Sequence, residues 1–331
     1  MRVIVIGTSQ GGLAALRSLV GSLEAALPAA VLIVQHQSPD SPMVLADILT
    51  AVGPLAATYA VDGEALLPGH IYLATPRHHM LLEDAHVYIR AGLRENRMRP
   101  AIDPLFRSAA VAYGAGAIGV LLTGLLDDGV AGLHAIQRCG GVTIVQAPEE
   151  AEYPDMVNNA LATVQVDYCL PLQGIALQLN QLAHEPVEKG AIPEDLRLEV
   201  AFSQRAMGGA ELMDQIGQAT SFTCPACGGR LWELESGEQP RYRCEVGHAY
   251  AAPGLILENH EAVERALWVA VRTLEERERM LKRMAATAQA SGHAQSVAEY
   301  DARAAETKNH RHHLRHFLLD WLQASEQKDP R

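Results

Sequence analysis

The chain has 331 residues, which is enough for about two domains. Its composition, 48% hydrophobic and 20% charged, excludes an intrinsically disordered protein and a coiled-coil rod. The formal net charge is −12, from 27 Lys and Arg against 39 Asp and Glu, and it argues against nucleic-acid binding.

Membrane and secretion signals are missing from the sequence pattern. No apolar run approaches the roughly 20 residues that a membrane span needs. The apolar start at 1–7 is shorter than the hydrophobic region of a secretion signal and is more typical of a first strand. We therefore expect a cytoplasmic protein with no membrane insertion. Five Cys in such a chain favour metal binding or buried thiols over disulfides.

The first half of the sequence alternates strand and helix patterns. Continuous apolar runs, typical of strands buried on both faces, occur at 3–6, 31–34, 118–122 and 142–145. Helical spacing follows the first run, at Leu13, Leu16, Leu19 and Val20, and a second helix is predicted at 128–138. Runs at 71–74 and 87–89 predict a shorter strand pair joined by a polar turn. This alternation predicts an α/β fold with a doubly wound, mostly parallel sheet covered by helices on both faces.

The turn after the first predicted strand carries the pattern G-x-S-x-G at Gly7, Ser9 and Gly11. Its glycines permit a tight turn that presents the Ser9 hydroxyl, and backbone N–H groups of the next helix can stabilise an oxyanion. Two other interpretations stay open at this point. Ser9 caps the following helix, or residues 7–12 form a phosphate-binding loop that lacks the middle glycine of the dinucleotide fingerprint.

Two more polar residues end predicted strands. His36 directly follows the strand at 31–34, and Asp128 follows the strand at 118–122. Sites in parallel sheets form in the crevice beyond the carboxyl ends of the strands. Ser9, His36 and Asp128 therefore predict a nucleophile, its general base and the carboxylate that orients the base. The simpler alternatives are a structural imidazole at His36 and a helix N-cap at Asp128.

Three of the five Cys lie close together in the second half. Cys224-Pro-Ala-Cys227 is followed, after a short spacer, by Cys244-Glu-Val-Gly-His248. This spacing predicts a zinc ribbon in which Cys224, Cys227, Cys244 and His248 bind one Zn²⁺. Four protein ligands leave no open position, so the zinc is predicted to be structural, and no cofactor is expected for catalysis. We predict that the other two, Cys139 and Cys169, are buried thiols.

Helical periodicity dominates the end of the chain. Leu267, Val271, Leu274 and Leu281 follow three- and four-residue spacing, Gly292 interrupts the pattern, and a second helix is predicted at 294–322. We expect the two helices to form a hairpin. The hairpin either packs on itself and on the ribbon, or it docks to the helices of a partner or of a second copy of the chain. His310, His312, His313 and His316 fit a polar helix face better than a metal site. The predicted domains are 1–184 for the sheet, 185–220 for a linker, 221–252 for the ribbon and 253–325 for the hairpin.

Six motifs of the first half occur in the order found in one known family: IGTSQGG at 6–12, IVQH at 33–36, LPGHIYLA at 67–74, HM at 79–80, NRMRPAID at 96–103 and LLTGLLDDG at 121–129. On these motifs, residues 1–184 resemble the catalytic domain of CheB-type protein-glutamate methylesterases of bacterial chemotaxis. The resemblance implies a serine hydrolase that removes methyl esters from glutamate side chains of chemoreceptors, and in many members also deamidates glutamine. It implies that Ser9, His36 and Asp128 are the catalytic triad.

The resemblance also implies roles around the triad. Backbone N–H groups near Gln10 and Leu125 would hold the oxyanion, and Met98 would lie near the catalytic crevice. Arg97 and Arg99, with Arg94, form a basic cluster that either contacts the substrate as an acidic receptor helix or is ordinary surface charge. The implied partner is a methyl-accepting chemoreceptor or a similar methylated protein, with a receptor or kinase complex and an oligomer left open. The first catalytic strand begins the chain, so we expect no phosphorelay control through a receiver domain of its own.

Some residues depart from the family pattern. Gln10 stands where the family has Thr, Met98 where it commonly has His, and Leu126 where it has Gly. These changes surround the triad and leave two alternatives open. One is a non-catalytic adaptor that uses the fold to bind a receptor or kinase, and the other is a hydrolase for another ester or amide outside chemotaxis.

Overall fold

The computed structural model describes residues 2–38, 40–187, 190–205, 209–234 and 240–326. Within them the strands are, in chain order, β1 (Arg2–Thr8), β2 (Ala29–Gln35), β3 (Ala56–Tyr59), β4 (Glu64–Ala65), β5 (His70–Leu73), β6 (His79–Glu83), β7 (His86–Arg90), β8 (Ala117–Leu121), β9 (Val142–Gln146), β10 (Tyr168–Leu170), β11 (Gly217–Thr223), β12 (Arg230–Leu234), β13 (Arg241–Cys244) and β14 (Ala249–Ala251). The α-helices are α1 (Gly12–Gly21), α2 (Leu45–Val52), α3 (Ile102–Tyr113), α4 (Val130–Arg138), α5 (Asp155–Thr163), α6 (Leu172–His184), α7 (Glu194–Arg205), α8 (Ala210–Ile216), α9 (Ala252–Ala290) and α10 (Ala294–Glu326).

The central sheet is parallel and has the strand order β10-β9-β8-β1-β2-β5-β3. β1 is buried along its whole length, because helices cover both faces of the sheet, and this explains its continuous apolar run. β2 lies on one side of β1 and β8 on the other, so the strand order reverses here. Ligand sites of open α/β sheets form at such a switch point. The prediction of a doubly wound, mostly parallel α/β fold is confirmed.

Two hydrophobic cores flank the sheet. Val3 and Val5 of β1 face a core that includes α3, α4 and α5. Ile4 and Ile6 face a second core that includes α1, α2 and α6. Because successive side chains of a strand point to opposite faces, one strand contributes to both cores. The helices cover both faces, as predicted.

The predicted strand pair at 71–74 and 87–89 is wrong. β5 joins the central sheet between β2 and β3, whereas β7 pairs with β6 in a separate antiparallel sheet of order β4-β7-β6. Asp84 and Ala85, both with positive φ, connect β6 to β7 in a two-residue turn. Because β6 and β7 are adjacent in the sequence and joined by a tight turn, β7 pairs with β6 and not with β5.

The segment 185–220, predicted as a linker, contains α7, α8 and the start of β11. Several of its apolar side chains are buried, among them Leu196, Val200 and Phe202 of α7 and Met213 and Ile216 of α8. Leu196 packs into the same core as α3. The segment that connects the central sheet to the ribbon is therefore helical and packed.

β11 to β14 form a four-stranded antiparallel sheet in chain order. This sheet corresponds to the ribbon predicted at 221–252. It belongs to the same compact unit as the central sheet, and that unit ends at Leu255. The central sheet and the ribbon therefore belong to one compact unit.

A second compact unit begins at Ile256 and contains most of α9 and all of α10. Within it Arg311 of α10 forms an ion pair with Glu278 of α9 at 3.2 Å, and His260 stacks on Trp321 with ring centroids 4.0 Å apart. The two helices thus form the predicted hairpin. Among the described residues, none of the helices is both long enough and apolar enough to cross a bilayer.

The two cysteines outside the ribbon differ from each other. Cys139 is buried, as predicted, and burial raises the pKa of its thiol to about 11. Cys169 is exposed, so its prediction as a buried thiol is wrong. The reason is its place on β10, which is the edge strand of the central sheet.

Candidate active site

Ser9, His36 and Asp128 lie together at the switch point of the sheet. Ser9 follows β1 and His36 follows β2, while Asp128 lies in the loop between β8 and α4. His36 Nδ1 is 3.2 Å from Ser9 Oγ, and His36 Nε2 is 2.8 Å from Asp128 Oδ2. The side chains of His36 and Asp128 are only 6% and 4% exposed. The three residues form one hydrogen-bonded chain, in which the His36–Asp128 pair is largely shielded from water.

The two hydrogen-bond partners of His36 determine which of its ring nitrogens carries the proton. An ionised carboxylate only accepts hydrogen bonds, so Nε2 carries the proton that is donated to Asp128. Nδ1 is then the acceptor for the Ser9 hydroxyl. The ring is reversed relative to serine proteases, in which Nε2 faces the serine, but the roles of the two nitrogens are the same.

The turn after β1 presents Ser9 to the imidazole. Gly11 has φ 76 and is itself the N-cap of α1, and no side chain caps this helix. The structure therefore does not support the interpretation of Ser9 as a helix cap. The Ser9 N–H donates to the Thr123 carbonyl at 3.0 Å. Gly124 approaches so closely that a Cβ there would lie 2.8 Å from Ser9 Cβ.

Asp128 does not cap α4, whose N-cap is Gly129. Its Oδ2 accepts the Ile102 N–H at 2.7 Å, so the carboxylate lies at the positive N-terminus of α3. Asp103 of α3 in return accepts the N–H groups of Gly129 at 3.1 Å and Gly132 at 2.6 Å, at the start of α4. Asp128 thus caps α3 and Asp103 caps the start of α4, and together these hydrogen bonds fix the position of the Asp128 carboxylate.

Sequence reasoning missed Asp103 and Asn96, although both form hydrogen bonds with Asp128 or with its loop. Asn96 Nδ2 donates to Asp128 Oδ1 at 2.9 Å and to Asp103 Oδ2 at 2.8 Å. An acidic residue in the first turn of a predicted helix is a signal for Asp103. Nothing in the local sequence around Asn96 indicates its contact.

The electrostatics favour an ionised Asp128 beside two more basic carboxyls. Burial raises the pKa of Asp128, but the hydrogen bonds from His36, Ile102 and Asn96 outweigh it, and the net shift is downward. Burial, together with the charge of Asp128, raises the pKa of Asp103 to about 6. Burial, together with the charges of Asp103 and Asp128, raises the pKa of Asp127 to about 7. An ionised Asp128 can hold His36 in its tautomer and stabilise the imidazolium.

A cavity of about 1030 Å³ opens at Ser9 and His36. The predicted substrate-contact residues Gln10, Arg97, Met98 and Arg99 line it, whereas Leu125 is 40% exposed and is not among its lining residues. Charged side chains of the lining are five arginines and two carboxylates: Arg17, Arg77, Arg94, Arg97, Arg99, Asp40 and Glu152. The cavity is therefore positively charged in a protein of net charge −12.

The structure brings Cys224, Cys227, Cys244 and His248 together, with all ligand atoms within 4.8 Å of one another. Cys227 Sγ and Cys244 Sγ are 3.8 Å apart, and His248 Nδ1 is 3.6 Å from the Sγ atoms of Cys224 and Cys244. Ligands on one tetrahedral ion are separated by about 3.8 Å between two sulfurs and about 3.6 Å between sulfur and nitrogen. The donor set and its spacing fit a four-coordinate metal.

Comparison with known proteins identifies relatives of the first half. Residues 4–179 match the family model described as CheB methylesterase. Protein-glutamate methylesterase/protein-glutamine glutaminase 2 of Rhodospirillum rubrum is 36% identical over 181 residues, 54% of this chain and 50% of that protein. The Bordetella pertussis protein-glutamate methylesterase/protein-glutamine glutaminase is 38% identical over 180 residues, 53% of this chain and 51% of that protein. The chain thus spans about half the length of the curated relatives it matches.

A solved structure shows the same similarity. The crystal structure of the Thermotoga maritima CheB methylesterase catalytic domain superimposes with a TM-score of 0.53 and 30% sequence identity. The match covers 55% of this chain and 98% of that domain.

Proposed function

The chain belongs to the CheB methylesterase family, and from that premise we propose that it hydrolyses methyl esters of glutamate side chains in chemoreceptors. The observation that carries the proposal is the hydrogen-bonded chain from Ser9 through His36 to Asp128. Burial of the His36 and Asp128 side chains strengthens this interaction by excluding water. The names of the relatives support a second reaction, deamidation of glutamine, at the same site.

In the proposed mechanism Ser9 Oγ attacks the ester carbonyl while His36 Nδ1 takes the hydroxyl proton. The backbone N–H groups of Gln10 and Leu125 hold the oxyanion of the tetrahedral intermediate. His36 then gives the proton to the leaving methoxide, methanol departs, and an acyl-enzyme remains on Ser9. Water attacks this ester with His36 as the base, and the products are free Ser9 and a glutamate carboxylate. A glutamine amide follows the same route and releases ammonia.

The positive cavity supports an acidic substrate segment. The arginines at its lining, among them Arg94 and Arg97, suit a helix rich in glutamate around the methylated position. We propose that this segment is the cytoplasmic helix of a methyl-accepting chemoreceptor, alone or in a complex with its kinase. The protein would then act in the cytoplasm.

The function is tested by methanol release from methylated receptor cytoplasmic fragments. Ser9→Ala removes the nucleophile, so we expect kcat to fall at least about 10³-fold while the protein stays folded. Ser18→Ala, an exposed position on α1, is the matched control and should keep full activity. Circular dichroism checks that both variants are folded.

Two outcomes would contradict the proposal. Wild-type protein that binds the fragment without releasing methanol is an adaptor. Protein that hydrolyses small esters in a Ser9-dependent way, but leaves receptor fragments methylated, is a hydrolase for another substrate.

We propose further that Cys224, Cys227, Cys244 and His248 hold one structural Zn²⁺. The spacing of their Sγ and Nδ1 atoms supports tetrahedral coordination by soft ligands. The Tyr250 hydroxyl lies 3.4 Å from Cys224 Sγ and can orient that ligand. Bound zinc would stabilise the folded ribbon, and with four protein ligands it would leave no position for substrate.

Elemental analysis of purified protein tests the zinc proposal. We expect about one zinc per chain in the wild type and none in a Cys224→Ser, Cys227→Ser double variant. Cys169→Ser, which removes an exposed thiol from the central sheet, should keep its zinc. The assignment is contradicted if the wild-type protein contains no zinc, or if the double variant contains as much zinc as the wild type.

A further inference from the structure

Residues 95–98 form a tight hairpin turn beside the catalytic cavity. The Met98 N–H donates to the Glu95 carbonyl at 2.9 Å, and the Glu95 N–H donates to the Met98 carbonyl at 3.3 Å. The two central residues, Asn96 and Arg97, have φ values of 48 and 68. Non-glycine residues seldom adopt this left-handed conformation, and it persists only where surrounding contacts hold it. The contacts that hold this turn come from the ribbon on one side and from α3 and the loop before α4 on the other.

The outer edge of β14 binds the turn through Asn96. The Asn96 N–H donates to the Ala249 carbonyl at 2.9 Å, and the Ala251 N–H donates to Asn96 Oδ1 at 3.1 Å. Along the antiparallel strands β13 and β14, hydrogen-bonded residue pairs alternate with pairs that are not hydrogen-bonded. Cys244 and His248 are a hydrogen-bonded pair, so Arg241 and Ala251, three pairs further along, are not. The N–H of Ala251 therefore points away from β13, towards Asn96.

The other end of the Asn96 amide reaches the triad. Its Nδ2 atom donates a hydrogen bond to Asp128 Oδ1 at 2.9 Å, and Asp128 Oδ2 accepts a hydrogen bond from His36 Nε2 at 2.8 Å. Asn96 is buried, so water does not compete for these hydrogen bonds. One side chain thus connects the last strand of the ribbon to the carboxylate that orients the general base.

A second link runs through Glu95. This carboxylate accepts hydrogen bonds from Arg107 of α3 and, at 2.6 Å, from Arg243 of β13. The three side chains are at most 6% exposed. Arg243 directly precedes Cys244, so a metal ligand and an anchor of the turn are neighbours on one strand. Breaking a buried ion pair leaves an uncompensated charge, and this penalty keeps the turn attached to β13.

We propose that the ribbon clamps the 95–98 turn against the catalytic sheet, and that Asn96 is a positioning residue which orients Asp128. Occupancy of the Cys224, Cys227, Cys244 and His248 site then sets the order of β13 and β14, and through Asn96 the alignment of Asp128 with His36. The catalytic consequence rests on the proposed esterase function. The clamp itself is a contact between the ribbon and the turn, and it is measurable without turnover.

Kinetics of Asn96→Ala test the positioning role. We expect kcat for methyl-ester hydrolysis to fall about 10- to 100-fold, with KM changed less than about twofold, because Asp128 loses its amide donor and Asp103 loses the same donor. Asn180→Ala, which removes an amide hydrogen-bonded to the Ser22 carbonyl far from the site, is the matched control.

The pH profile of Asn96→Ala separates positioning from a loss of fold. Without the amide donor, protonation of Asp128 becomes more favourable, and Asp103, Asp127 and His79 are the other titratable groups that act on it. The acidic limb of kcat/KM should therefore move to higher pH. An unchanged limb, or an unchanged kcat, overturns the role of Asn96.

Amide hydrogen exchange of the full-length protein tests the clamp. Ala251→Pro deletes the N–H given to Asn96 Oδ1 and leaves the four metal ligands intact, and Ala251→Ser keeps that N–H as the control. We expect faster exchange in the peptide covering residues 94–100 for Ala251→Pro and for Cys227→Ser, and wild-type exchange for Ala251→Ser. Zinc content and circular dichroism identify any variant that has unfolded.

A double-mutant cycle tests whether Ala251 and Asn96 affect catalysis through the same contact. If the ribbon acts through Asn96, the kcat losses of Ala251→Pro and Asn96→Ala should not multiply. Multiplying losses, or unchanged exchange at 94–100 in Ala251→Pro, overturns the inference. A wild-type protein without Ser9-dependent turnover contradicts the proposed function instead, and the exchange at 94–100 still decides the clamp.

Discussion

Three buried aspartates, Asp103, Asp127 and Asp128, lie around the candidate triad and differ in their hydrogen bonds. Asp128 receives donors from three directions, and its pKa is lowered in spite of burial. Asp127 Oδ2 has no hydrogen-bond partner in the described part of the chain, and burial raises the pKa of this group to about 7. The same loop thus supplies one carboxylate suited to orienting a histidine and another that favours the protonated form.

Asp127→Asn should stabilise the protein at alkaline pH. The folded pKa of Asp127 lies above its unfolded value, so its contribution to stability is complete below about pH 4 and is lost as the pH rises through about 7. The uncharged amide avoids this loss, and we expect a gain on the order of 2 kcal/mol at about pH 8.

Urea unfolding at about pH 8 and about pH 5 measures the effect. Wild-type Asp127 is largely protonated at about pH 5, so the gain should shrink there. Asp301→Asn, an exposed position on α10, is the control and should change stability little at either pH. An equal difference between Asp127→Asn and the wild type at both pH values contradicts the argument.

At the scale of elements, the loops after β1 and β8 pack directly on each other. The Ser9 N–H donates to the Thr123 carbonyl, and the Thr123 hydroxyl donates to the Gln10 carbonyl at 3.0 Å. Leu126 in the second loop has φ 65, the left-handed region that glycine adopts without strain. Its carbonyl accepts a hydrogen bond from Asn159 Nδ2 at 2.8 Å, which holds this conformation.

Gly124→Ala should lower activity more than stability. A Cβ at this position would lie 2.8 Å from Ser9 Cβ and 2.6 Å from Met156 Cε. Met156 is flexible and can move, but Ser9 would be displaced from His36, and small displacements of reacting groups cost about 10²-fold in rate. Gly254→Ala, which meets nothing within 4 Å, is the control. Ester hydrolysis and thermal unfolding are measured in parallel, and normal kcat in Gly124→Ala contradicts this account.

At the scale of the molecule, buried charges connect α3, α7 and the ribbon. Glu199 of α7 pairs with Arg241 at 2.6 Å and with Arg107 at 3.3 Å, and all three side chains are at most 8% exposed. Neighbouring arginines lower the pKa of Glu199 although burial opposes this. Such a network requires all its members, because a charge left without partners in the interior costs several kcal/mol.

Truncation should distinguish the two compact units. A chain that ends at Glu258 keeps the first unit with the ribbon, and we expect it to retain ester hydrolysis within about twofold. A chain that ends at Ile216 loses Arg241 and Arg243, which leaves Glu95 and Glu199 buried without those partners. We expect this shorter chain to lose its cooperative thermal transition and its activity. Full activity in the shorter chain contradicts the view that the ribbon completes the first unit.

The α/β class, the strand ends that carry Ser9, His36 and Asp128, and the four Cys and His residues of the ribbon are all predictable from the amino-acid sequence alone. These features depend on local patterns, namely apolar runs, glycine turns and the spacing of Cys and His. Only the tertiary structure decided the sheet to which β5 belongs, the helices of the segment predicted as a linker, and the contact of Asn96 with both Asp128 and Ala251. Those depend on pairing between residues far apart in the chain, where the free energy comes from burial and from matched donors and acceptors that no local pattern reveals.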